Sequence, residues 1–228
     1  MNRTPEEKAT LLFETAKRSM LAAEVLLNRL TDDLSRLEKD INDGINIEDR
    51  AAPPLLAAVT FIDFAHRFGT VVDALPLISK KAPEIRQLTN ALVTVVAARN
   101  HLQHMRTDLS SNEEIDYPLL GTLMWSNGDM SYTIFLSQPT KTNAYSMVYD
   151  ARNGCWVAKH QYQVKNTIID LDAVLEQMRN TYTWIVSRLK FSDSEFSLLK
   201  WGKTQAFAFR INVNNSESGP APTESHEG

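Results

Sequence analysis

Apolar residues recur at four-three spacing through the N-terminal stretch of the chain: Ala9, Phe13, Ala16, Met20, Ala23, Leu27, Leu30, Leu34, Leu37 and Ile41. A seam of this kind, sustained over most of five repeats, predicts one long amphipathic helix. Thr4-Pro5-Glu6-Glu7 supplies its start: an N-cap hydroxyl, proline in the first turn and a glutamate three residues past the cap. Asn42-Asp43-Gly44 supplies its stop. At 1.5 Å per residue such a helix is about 55 Å long. Its far end therefore needs a partner helix, from the same chain or from a second copy.

A second helix is expected over about 54–75, with Leu55, Leu56, Val59, Phe61, Ile62, Phe64, Phe68, Val71, Val72 and Leu75. Ala82-Pro83-Glu84 opens a third, running to about Asp108, and between Arg86 and Arg99 it carries no charged residue. A surface helix seldom lacks charge for so long, so most of its faces should be covered by neighbouring helices or a partner subunit.

The period then shortens. Met130, Tyr132, Ile134 and Leu136 alternate with polar neighbours, as a half-buried strand does. Asn127-Gly128 and Asn153-Gly154 are hairpin signals. Residues 119–126, 130–137, 144–150 and 155–164 thus read as a four-stranded antiparallel meander, with Trp156, Ala158, His160, Tyr162 and Val164 on one face of its last strand. Helical spacing returns at 168–190 along Leu171, Leu175, Met178, Tyr182, Ile185 and Leu189, with Asp170 or Asp172 as its cap. A short helix or loop follows near Ser194–Leu199, and 205–213 reads as a strand that returns to the sheet. The fold class expected is α+β: an antiparallel helical bundle (1–110 with 168–190) carrying an inserted or appended antiparallel sheet of four to five strands, the meander at 117–165.

Composition adds exclusions. The 228 residues carry a net charge of −4, which is not that of a polybasic protein. The segment after Val213 holds Glu217, Glu224 and Glu227, no Lys or Arg, and no apolar anchors. It is expected to be disordered, and without it 24 basic residues face 25 acidic ones. One cysteine, Cys155, excludes an intrachain disulfide, and no Cys/His cluster has zinc spacing, so neither metal nor cofactor is expected. No run of about 18 uncharged apolar residues spans a membrane and no signal peptide is visible, so the expectation is a cytoplasmic protein. Phosphate-loop, HExxH and nucleophile-elbow motifs are absent as well.

One position breaks the pattern. At 100° per residue Arg99 falls among Leu88, Leu92, Val95 and Val96, in the middle of the apolar stripe of the third helix. Buried arginines have a partner or a task. Gln103, Asn100 and His104 follow round the helix within about 140° of it, whereas His101 points the other way. His160, on the apolar face of a strand, reads as a satisfied sheet histidine. His66, with Asp63 and Arg67, reads as a partly exposed bundle position.

Arg99-Asn100-His101-Leu102-Gln103-His104 resembles the motif of the HEPN (higher eukaryotes and prokaryotes nucleotide-binding) superfamily: an arginine, a polar residue, and a histidine after four to six intervening positions. The resemblance covers about residues 4–110 together with 168–190, and leaves out the meander. It implies a bundle of four or five helices that dimerises with two motifs face to face. It also implies metal-independent endoribonuclease activity in toxin–antitoxin, phage-defence or RNA-processing systems, or a bundle that has lost catalysis and serves as a binding partner. In the catalytic case Arg99 clamps phosphate, Asn100 positions, and His104 is the acid/base residue. The residue types suit that work, because imidazole titrates near neutrality and guanidinium offers a planar charged fork to phosphate oxygens. The partners expected are a second copy of the chain, an RNA substrate, and an antitoxin or other protein; in the non-catalytic case the sheet would bind a protein partner or a ligand. No membrane partner is expected.

Overall fold

The computed structural model describes residues 5–76, 78–110, 118–136 and 147–189. The long N-terminal helix, α1 (Pro5–Asn42), forms as its seam predicts. Nine of the ten seam residues are buried and Ile41 is half-buried. The helix ends in a Schellman closure: Ile45 N–H donates to Asp40 O at 2.8 Å, Gly44 N–H to Ile41 O at 3.1 Å, and Gly44 takes φ +71°. Thr4 lies outside the described residues.

A loop with one 3₁₀ turn (Glu48–Arg50), tied back by an Arg50–Asp40 ion pair, leads to α2 (Ala52–Asp73). This helix is long and apolar enough to cross a membrane by composition. Here it is a core helix lying along α1, with Ala58, Phe61, Ile62, Ala65 and Phe68 wholly buried. α3 (Pro83–Ser110) follows, and α4 (Leu171–Arg188) closes the ring, each helix packing on the next and α4 returning to α1.

Between α3 and α4 lie β1 (Thr122–Asn127), β2 (Met130–Ile134), β3 (Tyr149–Asp150), β4 (Cys155–Trp156), β5 (His160–Val164) and β6 (Thr167–Asp170). The chain is therefore α+β, a helical bundle with an antiparallel sheet. The far end of α1 meets this sheet: Asn127 donates to Glu38 Oε1 at 2.9 Å and Asn42 to the Tyr132 hydroxyl at 3.3 Å. Leu30, Leu34 and Leu37 are thus sealed within the chain. The seam is ordinary bundle packing and requires no second copy.

The simple meander needs correction. Strand order is β2-β1-β5-β6, and β3-β4 form a separate two-stranded ribbon. The expected strand 155–164 breaks at Val157–Lys159, where the chain leaves β3 and pairs with β1 instead. Ala158 there packs with Met124 and Met147, which anchors the crossover. The expected helix start at 168 is also displaced, because Thr167–Asp170 pairs with β5 and the helix begins only at Leu171. The turn between β5 and β6 uses Lys165 at φ +50°, with no glycine to announce it. Asp170 is the cap, accepting from Ala173 N–H at 2.9 Å. Gly128 (φ +55°) and Gly154 (φ +63°) make the two turns that the sequence announced. The expected elements at 194–199 and 205–213, and the tail from 214, lie outside the described residues.

Candidate functional site

α2 and α3 run antiparallel, since Asp63 meets Arg99 at one level and Gly69 meets Leu92 further along. Where Gly69 lacks a side chain, Leu92 fills the space, and beside this contact the helices part into an apolar groove of about 400 Å³. Ile85, Leu88, Leu92 and Val96 line it from α3, with His66, Val72 and Asp73 opposite. Val93 and Val96 on its rim are 61% and 39% exposed. Of the two covers expected for the uncharged stretch of α3, neighbouring helices of the same chain leave several of its positions exposed. Its groove-side face is open.

Arg99 follows one turn beyond Val96, the last residue that α3 gives to this groove. Its Nε lies 3.2 Å from Asp63 Oδ1, and its Nη1 donates to Gln103 Oε1 at 3.1 Å. The stripe of α3 turns toward Ala98, which is fully buried, so Arg99 is half-buried at the rim rather than sealed in the core. Its side chain is 27% exposed and that of Asp63 is 54% exposed. Asn100, Gln103 and His104 are exposed, on the same side of the helix as Val93 and Val96. Arg99, Asn100 and His104 are thus brought together on one accessible surface.

Two residues belong to this surface that the motif does not contain. Asp63 orients the guanidinium. His66, one turn along α2, is half-buried at the groove wall, and its pKa is lowered. Burial is the main cause, and the nearby Arg99 charge adds to it against the opposing pull of Asp63. Both residues were visible as polar positions on a largely apolar helix, but nothing in the chain's linear order joins them to Arg99. Arg67 turns instead over the Phe64 ring, 5.3 Å from its centroid.

His160 is held otherwise. Its Nδ1 lies 3.0 Å from Asp172 Oδ2, its backbone N–H donates to the same oxygen at 3.0 Å, and its side chain is 3% exposed. Burial pushes the Asp172 carboxyl up, but the His160 hydrogen bonds and charge outweigh it and hold the group below the usual range. A polar cleft of about 680 Å³ lies alongside, between α1 and α4. Its Arg179 is answered by Glu24 at 2.6 Å. Asp172 thus answers His160, which is the satisfied sheet histidine its position suggested.

No family model, no curated protein and no solved structure matches the chain.

Proposed function

We propose that the chain is a HEPN-like, metal-independent endoribonuclease of the cytoplasm, acting as a homodimer. The observation that carries this reading is the setting of Arg99: a guanidinium aimed by Asp63 and Gln103 at an open rim, with Asn100 and His104 exposed beside it. A structural role explains that setting poorly. An ion pair this open to solvent contributes only about 0.2–1 kcal/mol, and Asp63 left alone would simply hydrate. The same pair suits a phosphate site, because a carboxylate on Nε fixes the plane of the guanidinium fork. The uncharged face of α3 beside it is the surface on which two copies would meet.

In the reaction, the ribose 2′-oxygen attacks phosphorus and the bond to the 5′-oxygen breaks, leaving a 2′,3′-cyclic phosphate and a 5′-hydroxyl. Arg99 stabilises charge growing on the phosphate and His104 transfers a proton. The test is cleavage of single-stranded RNA in EDTA by wild type, Arg99→Ala and His104→Ala. Cleavage by wild type with a loss of at least 100-fold in both variants is expected. Intact RNA with all three proteins, or equal cleavage by all three, sinks the reading.

A second reading is that the bundle is non-catalytic and binds a partner protein through its sheet. It is favoured by the pairing of Arg99 with Asp63 inside its own chain, which answers the charge without any substrate. An antitoxin or other partner captured equally by wild type and His104→Ala, with no RNA cleaved by either, decides for it.

A further inference from the structure

Resting on the ribonuclease reading, we infer that His66 is the second proton-transfer group of the site, supplied by α2 of the same chain, with Arg99 standing between it and His104. Cleavage of a phosphodiester in line needs a base on the side of the attacking 2′-oxygen and an acid on the side of the departing 5′-oxygen. Two imidazoles flanking one phosphate clamp provide that, and the fold sets one to each side of Arg99 along the helix axes.

The placement follows from the antiparallel pairing of α2 and α3. Asp63 and Arg99 share one level. His66 lies three residues from Asp63, about 4.5 Å along the axis, and His104 lies five residues from Arg99, about 7.5 Å along it in the opposite sense. Side chains on a helix tilt toward its own N-terminus. On α2 that direction carries His66 toward the level of Arg99, and on antiparallel α3 it carries His104 toward the same level. Along the helix axes the two imidazoles therefore stand on opposite sides of Arg99, His66 at the groove wall and His104 on the exposed face about 140° round α3. His66 also lines the apolar groove, and its electrostatic coupling to Arg99 places the two groups near each other.

Their environments divide the roles. His66 is half-buried beside Arg99, and its proton affinity is lowered by burial first and by that charge second, so it rests neutral. It takes the proton from the 2′-hydroxyl. His104 is exposed and delivers a proton to the 5′-oxygen as the P–O bond breaks. The two imidazoles then exchange protons with water, so the cycle needs no other reactant.

The experiment uses the full chain and a 5′-labelled single-stranded RNA in EDTA under single turnover. A matching 2′-deoxy oligonucleotide serves as a binding probe. His66→Gln is expected to slow cleavage at least 100-fold while its melting temperature and its affinity for the deoxy probe stay near wild type. Added free imidazole is expected to restore part of the activity of His66→Ala. Cleavage by His66→Gln within about 3-fold of wild type, with His104→Ala inactive, overturns the role of His66 and leaves the ribonuclease reading standing. Should wild type itself leave every RNA intact, both fall together.

Discussion

Arg99 on α3 and Asp63 on α2 meet with 3.2 Å between Nε and Oδ1, one turn along each helix from the groove residues Val96 and His66. The Asp63 side chain remains 54% exposed. Removing the arginine therefore strands no buried carboxylate. Arg99→Ala should lower the unfolding free energy by less than about 1 kcal/mol, which a denaturant titration measures. Added phosphate should stabilise wild type more than the variant, because the variant has lost the clamp. A loss of several kcal/mol with no phosphate effect marks a purely structural arginine.

Val93 tests the surface beside it. The residue is 61% exposed, so Val93→Glu should leave the fold within about 0.5 kcal/mol of wild type. On a paired α3 face the same change places two carboxylates in an apolar contact. Sedimentation should show wild type as a dimer and Val93→Glu as a monomer. A monomeric wild type, or a variant that still dimerises, removes this face as the interface.

The His160–Asp172 pair makes a prediction about acid. A carboxylate held below its unfolded pKa stabilises the fold above the unfolded value and loses that contribution as pH falls through the folded one. For Asp172 that window opens near pH 4 and extends below it. Neighbouring Asp170 acts in the opposite sense, because burial, and to a lesser degree Asp172, pushes its carboxyl up. The variant isolates the effect: Asp172→Asn should cost about 1 kcal/mol at pH 7 and progressively less toward pH 3. Parallel melting curves at each pH read the difference directly.

Gly121 sits at φ +75°, just ahead of β1. A methyl group there would run into the Tyr162 ring and hydroxyl and the Gln163 carbonyl. That tyrosine is fully buried and donates to Leu120 O at 2.6 Å, so it has little room to yield. Gly121→Ala should therefore cost about 2 kcal/mol or more in equilibrium unfolding, through backbone strain and overpacking together. Gly128→Ala, where nothing lies within reach, should cost less.

The helices were legible because their signals are local. The seam from Ala9 to Leu37, the stop at Gly44, a cap at Asp170 or Asp172 (the structure chose Asp170) and the turn glycines Gly128 and Gly154 each depend on residues within a few positions of one another. So did the grouping of Arg99, Asn100, Gln103 and His104, which one helical turn and a half brings together. Strand order was not of this kind. Whether 155–164 makes one strand or two depends on which neighbour its backbone finds, and β1 competes there with β3. The Lys165 turn gave no glycine signal, so helical spacing in the residues after it masked β6.

By itself the sequence determined an α+β chain, the four helices of the described residues and a polar cluster at the end of the third. The tertiary structure decided what each of these faces. It closed the far end of α1 with the sheet, left the uncharged face of α3 uncovered by the chain's own helices, and set Asp63 and His66 beside an arginine more than thirty positions away along the chain. Helical period fixes which side of a helix a residue occupies, through bonds that span four residues. Which helix lies opposite is set by burial shared among residues far apart in sequence, and no local pattern records it.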